Sequence, residues 1–209
     1  MKAQTHDFRD GNGPVPSHIH TNGGGWVADT ANVHNSAYIG PDARVYGNAW
    51  VHGDARVHGD ARVHGYALVY GDARVYGNAR VYGNALVRGN ARVYGNARVD
   101  NARVCGDAQV FGDARVYGNA RVDNAQVFGD AQVFGDARVN RGMYAYTPIS
   151  ITRSDGYTFT LQSDGSIVAG CRDFTPDEAK AHWGNPEHHK HRESMAIVTA
   201  LNAITAERQ

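Results

Sequence analysis

Apolar residues recur at every sixth position along most of this chain. From Val27 to Val99 a branched apolar residue stands at each step, and a small residue, usually Ala, precedes it by two positions. An ordinary helix is excluded, because its apolar face recurs every three or four residues. The alternation Ala-Arg-Val-Tyr instead predicts a short strand, with Ala and Val on one side and Arg and Tyr on the other.

Gly-Asn or Gly-Asp separates consecutive strands and is suited to a corner. Gly tolerates positive φ, and Asn or Asp can hydrogen-bond to its own backbone. Strands this short are unstable as isolated hairpins, but a stack of them buries a continuous column of Val and Ala. A hexapeptide period therefore indicates a parallel β-helix.

The period slips twice, because the steps from Val99 to Val104 and from Val122 to Val127 are five residues long. These two rungs lack the corner Gly. We expect their corners to be tighter and to shift the helix locally.

The repeated GNARV and GDARV segments resemble the hexapeptide-repeat left-handed β-helix superfamily, and within it the bacterial and phage repeat proteins of unassigned function. The resemblance covers roughly residues 26–140. It implies a mainly β fold, in which three hexapeptides form each left-handed coil. The fold carries acyltransferases, carbonic anhydrases and binding scaffolds, so it does not define a function.

The sequence divides into three regions. Residues 1–25 are rich in Gly, Pro and His without periodicity and predict an irregular cap or arm, which blunts the open strand edges. Residues 26–140 form the β-helix, and residues 141–209 predict a small ββαα module. In that module a capping box at Thr175-Pro-Asp-Glu178 begins one helix, and a second runs from about Glu187 to Glu207 with one apolar face.

The 209 residues include 21 basic and 21 acidic side chains, so the formal net charge is zero. This balance gives no overall attraction to nucleic acid or to a membrane. Two cysteines form no disulfide framework, and no signal peptide or membrane span is visible. We therefore expect a cytoplasmic protein, in a cell or an infected cell, with no membrane partner and no cofactor.

Folding three steps into each coil sorts the outward positions onto three faces. Face 1 carries a column of arginines: Arg44, Arg62, Arg80, Arg98 and Arg115. Face 3 carries Arg56, Arg74 and Arg92.

Arginine interleaved with aromatic rings is the usual surface for phosphates and bases. We therefore predict an anionic ligand site on face 1, formed by Arg62, Arg80, Arg98, Tyr82 and His64. The structural alternative is that corner acids neutralise the arginines and Tyr rings stack beneath them. The acids in question are Asp54, Asp60, Asp72, Asp107 and Asp113.

Face 2 differs, because its outward column contains Trp50, Leu68 and Leu86, with Tyr70 beside them. An exposed apolar stripe usually marks an interface. We predict that these residues form an oligomer interface, and the family resemblance implies a trimer.

Histidines offer weak candidates for metal binding. His34 and His52 stack on face 2, where zinc would need a third ligand from a neighbouring protomer. His18 and His20 would share one side of an extended strand in the N-terminal region. The alternative for each pair is an ordinary polar role.

We find no catalytic motif in a supporting context. The favoured interpretation is a non-catalytic, oligomeric binding or scaffold protein, phage-encoded, which sequesters or blocks a protein partner. One alternative is an acyltransferase-like or carbonic-anhydrase-like enzyme with a site between protomers. Another is a sponge or sensor for an anionic nucleotide that uses the Arg and Tyr columns.

Overall fold

The computed structural model describes residues 4–206. The repeats form a parallel β-solenoid of three sheets, each with seven strands from seven coils. Face 1 contains the strands Trp26–Ala28, Arg44–Val45, Arg62–Val63, Arg80–Tyr82, Arg98–Asp100, Arg115–Tyr117 and Gln132–Val133. Face 2 contains Asn32–Val33, Trp50–Val51, Leu68–Gly71, Leu86–Gly89, Arg103–Cys105, Arg121–Asp123 and Arg138–Val139. Face 3 contains Tyr38–Ile39, Arg56–Val57, Arg74–Val75, Arg92–Val93, Gln109–Val110, Gln126–Val127 and Met143–Tyr144. The predicted β-helix is therefore confirmed, while its left hand stays a prediction.

The core of the solenoid is a column of small and branched side chains. The inward Val and Ala of each rung from Ala43 to Val133 are fully buried, with 0% of their surface exposed. Burial of this kind stabilises each coil by removing apolar surface from water. The outward side chains are free to vary, because the core does not depend on them.

The five-residue rungs do not shift the helix, contrary to expectation. Val99 pairs with Val81 and Val116, so the strand register is the same on both sides of the five-residue rung.

Asn101 occupies the corner of this rung with φ 54°, where other rungs have a Gly at positive φ. Its side-chain Oδ1 accepts a hydrogen bond from the Asn84 backbone N at 2.9 Å. In a six-residue rung the carbonyl oxygen of the corner Gly accepts the equivalent hydrogen bond, as Gly95 O does from Asn78 N at 2.8 Å. Asparagine thus supplies both the conformation and the acceptor that the missing Gly would provide.

The N-terminal region is more regular than predicted. Thr5–Asp7 and Pro14–Ile19 form an antiparallel pair, and the second strand pairs with Trp26–Ala28 of face 1. Phe8 lies in a small cluster with Ala28 and Tyr46. This hairpin occupies the first strand edge of the face 1 sheet, which the absence of periodicity in the sequence did not indicate.

The C-terminal module contains four antiparallel strands and two helices. The strands are Ser150–Thr152, Thr158–Leu161, Ile167–Ala169 and Arg172–Phe174. Helix α1 (Pro176–Gly184) begins at the predicted capping box on Thr175. Helix α2 spans His191–Ala206, so it begins later than predicted, and its predicted end at Glu207 lies outside the described residues.

The solenoid extends past the predicted boundary at residue 140, because Met143–Tyr144 pairs with Gln126–Val127 of the preceding coil. Gln162 joins the module to this last coil and is only 2% exposed. Its Nε2 donates to the Arg138 carbonyl at 2.9 Å, and its Oε1 accepts from Asn140 N at 3.0 Å and from Tyr144 Oη at 2.9 Å. The module therefore satisfies backbone groups at the end of the solenoid. Neither helix in the described part of the chain is long and apolar enough to cross a membrane.

Candidate functional site

The structure places the predicted outward columns in register. Arg80 pairs with Arg62 and with Arg98 on consecutive coils of face 1. On face 2, Leu68 pairs with Trp50 and with Leu86. Neighbouring members of a column are therefore one strand spacing apart, about 4.8 Å.

The arginine columns lack the predicted acidic partners. Among residues 4–206, the ion pairs of arginine involve only Arg141 and Arg153, which lie outside the columns. Two of the five corner acids accept hydrogen bonds from corner asparagines: Asp107 from Asn90 at 2.8 Å and Asp113 from Asn96 at 3.0 Å. Within residues 4–206 no corner acid therefore forms an ion pair with an arginine of the face 1 or face 3 columns.

Face 2 changes character halfway along the solenoid. After Leu86 its column continues with Arg103, Arg121 and Arg138 in register. These arginines and the adjacent corner line a cavity of about 590 Å³, which we term the basic cleft. Its lining residues are Asn84, Asn101, Arg103, Asn119, Arg121, Asp136 and Arg138.

Positive charge dominates the basic cleft. Its one acid, Asp136, accepts a hydrogen bond from Asn119 at 3.1 Å, and the Arg138 guanidinium donates to the Gly170 carbonyl. Burial lowers the pKa of Arg121, and the neighbouring charges of Arg138 and Arg103 lower it further. The cleft is therefore a concentrated cationic surface, of the kind that stabilises a bound anion.

Aromatic rings form a second column on face 1. Phe8, Tyr46, His64 and Tyr82 stack in turn with ring centroids 4.7–5.2 Å apart. Both ring faces of His64 are covered, by Tyr46 and by Tyr82, so neither face of this predicted site residue is free to stack on a ligand. Burial lowers the pKa of His64, with Asp10 opposing the change.

The aromatic column is interrupted at Asp100. This residue pairs with Tyr82 on one coil and with Tyr117 on the next, and Tyr117 stacks on Phe134 at 5.4 Å. A cavity of about 240 Å³ lies at the interruption, and we term it the slot. Its lining residues are Tyr82, Arg98, Asp100, Arg115, Val116, Tyr117 and Gln132.

Two residues of the predicted face 1 site, Tyr82 and Arg98, line the slot. Arg62 and Arg80 belong to the same column on preceding coils but do not line it. The cavity therefore lies nearer to the C-terminus than the predicted site.

The predicted oligomer interface is an exposed apolar stripe on face 2. Trp50 is 51% exposed and Leu68 is 36% exposed, while Leu86 is half-buried. Tyr70 stacks beneath His52 at 4.8 Å. Trp50 and Leu68 are therefore exposed, whereas Leu86 and Tyr70 are half-buried, and the role of the stripe in association stays a prediction.

The histidine candidates are not assembled into a metal site. His18 Nδ1 lies 2.8 Å from the Asp29 carboxylate, whereas His20 is buried and its Nδ1 lies 3.2 Å from the Asn22 carbonyl. His34 Nδ1 lies 2.7 Å from Ser36 Oγ. Within residues 4–206 no three His, Cys, Asp or Glu side chains are grouped to hold a metal ion.

Sequence reasoning did not select Arg103, Arg121 and Arg138, nor Asp100 and Tyr117, as site residues. The sequence signal that could have identified these residues is a change of residue type within an outward column. Leu86 is followed by arginines on face 2, and one carboxylate interrupts the rings of face 1. A departure from the repeat marked the cavities better than the repeated residues themselves.

A family model, the YdcK β-solenoid repeat, matches the chain at residues 73–89, 79–93, 91–107, 108–124 and 114–130. Searches of curated proteins and of solved structures found no significant match. The matched segments include Asp100, Arg103 and Arg121 of the two cavities. Over these segments the chain is similar to a family of β-solenoid repeats.

Proposed function

We propose that this protein is a non-catalytic binding protein whose basic cleft holds a phosphorylated anion. One observation carries the proposal: Arg103, Arg121 and Arg138 stand in register around one cavity without a carboxylate ion pair among the described residues. A volume of about 590 Å³ is within the roughly 300–1,000 Å³ usual for small-molecule sites.

The chemistry of the cleft favours phosphate over an apolar ligand. Each guanidinium has five N–H donors in a planar fork, which matches two phosphate oxygens. A spacing of about 4.8 Å between arginines allows consecutive phosphoryl groups of one ligand to be bound by different side chains. Corner asparagines add neutral donors along one edge of the cavity.

Binding is favoured over an acyltransferase-like or carbonic-anhydrase-like reaction. The lining of the cleft consists of Arg, Asn and one Asp, without His, Cys or Ser as a base or nucleophile. In this proposal the protein acts in the cytoplasm of a bacterium or phage-infected cell and sequesters its ligand or partner. The relation to the left-handed hexapeptide-repeat superfamily belongs to the same proposal.

The direct test is titration calorimetry with tripolyphosphate at low ionic strength. Arg103→Ala combined with Arg121→Ala should lower the affinity, by about 1.5–3 kcal/mol for each charge-assisted contact removed. The matched control is Arg74→Ala combined with Arg92→Ala, because these residues occupy the same repeat position on face 3. Added salt should weaken binding, since the contacts are charged. No binding at low salt, or an equal loss in the control, would contradict the proposal.

We also propose that the stripe of Trp50, Leu68, Leu86 and Tyr70 binds a second copy of this chain, and that the assembly is a trimer. The exposed Trp50 and Leu68 support a self-associating surface. A formal net charge of zero offers little repulsion between copies.

Light scattering after size exclusion tests this second proposal. Trp50→Lys combined with Leu86→Lys should reduce the mass to that of one chain. Met143→Lys is the control, because Met143 is 59% exposed and lies on face 3. An unchanged mass in the double variant would exclude face 2 as the interface.

A further inference from the structure

The slot on face 1 has the dimensions of one missing ring. Tyr82 and Tyr117 are two strand spacings apart, about 9.6 Å, with Asp100 on the coil between them. A planar ring placed midway would lie about 4.8 Å from each, which is the spacing of the neighbouring stacks and within the favourable range for aromatic pairs. The volume of about 240 Å³ suits a single heterocycle better than a drug-sized molecule.

The position of Asp100 leaves this space open. Its carboxylate leans toward the corner of the preceding coil, since a Cβ built on Gly83 would meet Asp100 Oδ1. Asn101 Nδ2 donates to that same oxygen at 2.8 Å. The other oxygen, Oδ2, has no hydrogen-bond partner among residues 4–206. Burial raises the pKa of Asp100, and Arg98 and Arg115 line the same slot without an ion pair to this carboxylate among residues 4–206. The carboxylate would therefore gain from N–H donors supplied by a ligand.

The slot and the basic cleft share one corner of the solenoid. Asp100 lines the slot, and the next residue, Asn101, lines the cleft. Both belong to the first five-residue rung. A ligand with a planar group joined to a chain of phosphates would reach both cavities across this corner.

We propose that the slot binds the purine ring of a guanine nucleotide, with the ring between Tyr82 and Tyr117 and its N–H edge toward Asp100. This inference rests on the proposed function of the basic cleft, which takes the phosphates. Guanine presents a ring N–H and an exocyclic amine side by side, so it can donate two hydrogen bonds to one carboxylate. Adenine lacks that pair of donors, and uracil has no exocyclic amine.

The decisive variant is Asp100→Tyr, which inserts the ring that other coils have at this position. Because Tyr82 and Tyr117 already occupy equivalent positions, we expect the variant to fold. It should remove the contribution of the base and leave the arginines of the cleft intact. Arg88→Tyr is the matched control, since Arg88 interrupts the ring column of face 2 after Tyr70.

The experiment compares GTP, ATP, guanosine and tripolyphosphate by calorimetry on the full chain. The wild type should bind GTP roughly tenfold or more tightly than tripolyphosphate, because stacking and the carboxylate contacts add to the phosphate contacts. Asp100→Tyr should reduce GTP binding to the level of tripolyphosphate without changing tripolyphosphate binding. Arg88→Tyr should change neither.

The outcomes separate the two proposals. If Asp100→Tyr keeps the advantage of GTP over tripolyphosphate, the slot inference is wrong while the cleft is unaffected. If guanosine binds and is lost in Asp100→Tyr, but tripolyphosphate does not bind the wild type, the cleft proposal fails and the slot stands. Asp100→Asn gives a second test that keeps the shape of the slot: the preference for GTP over ATP should disappear, and its persistence would overturn the role of the carboxylate.

Discussion

The solenoid and the C-terminal module bury their cores in opposite ways. The solenoid repeats Ala and Val in every coil, so no single side chain dominates. The module depends on a few large residues of different shapes, among them Phe159, Trp183 and Leu201. In the solenoid the free energy of unfolding is spread over all coils along the axis, because each coil contacts only its neighbours. The module instead concentrates stability in one cluster.

The largest effect should come from placing a charge inside the solenoid. Ala85→Glu would bury an unpaired carboxylate at a position with 0% exposure, and we expect a loss of about 4 kcal/mol or more in the free energy of unfolding. Arg92→Glu places the same side chain on the outside and should cost little. Urea denaturation measures both. Equal stability of the two variants would show that the assigned inward and outward positions are wrong.

The second effect tests the concentration of stability in the module. Trp183→Ala should cost about 3–5 kcal/mol, because it removes the largest fully buried side chain. Val81→Ala in the solenoid should cost only about 2 kcal/mol. Hydrogen exchange should show the Trp183 variant opening within the module while the coils stay protected. Loss of protection in the coils would mean that the two parts unfold as one unit.

The junction gives a smaller effect. Gln162→Leu removes three hydrogen bonds to the last coil and leaves backbone groups of Arg138 and Asn140 without that partner. We expect a loss of about 2–3 kcal/mol. Gln126→Leu, a half-buried outward glutamine of face 3, serves as the control and should be nearly neutral. Thermal melts of both variants test this, and a neutral Gln162→Leu would contradict the assigned capping role.

The smallest effect concerns pH and the aromatic column. Burial lowers the pKa of His64 in the folded state. The stability that depends on neutral His64 is present above the unfolded value of about 6.5 and is lost as the pH falls through the folded value. His64→Tyr should therefore reduce the fall in melting temperature between pH 8 and pH 5. An identical fall in wild type and variant would show that His64 does not contribute.

The same contrast explains how much the sequence could predict. The sequence alone predicts the column to which each Val of the solenoid belongs, because a strict period repeats the same local geometry many times. The hairpin at Thr5–Asp7 and Pro14–Ile19 has no repeat, and its pairing depends on contacts with Trp26–Ala28 that are distant in sequence. The sequence also predicts too few strands for the module, a ββαα arrangement instead of four strands and two helices, because no repeat marks where each strand begins and ends.

The cavities were harder to predict than the columns. The residue spacing in the sequence is enough to predict which side chains form a column. The basic cleft depends in addition on the distance between the corner at Asn101 and the neighbouring arginine side chains. Likewise, the slot requires that the Asp100 carboxylate lean toward Gly83 instead of covering Tyr82. Side-chain direction is set by local packing, which a repeat pattern does not encode.

The asparagine corners have a consequence for how such a gene changes. Asn101 and Asn124 both adopt positive φ, and both use Oδ1 to accept the hydrogen bond that a glycine carbonyl accepts elsewhere. Loss of a single codon at a Gly-Asn corner is therefore survivable, because the remaining asparagine closes the turn without disturbing the coils on either side. Each such deletion leaves the scaffold intact and alters only the local surface. In this chain the first such corner is the one shared by both cavities, so a small genetic change of this kind can reshape the outer surface while the strand register of the core is kept.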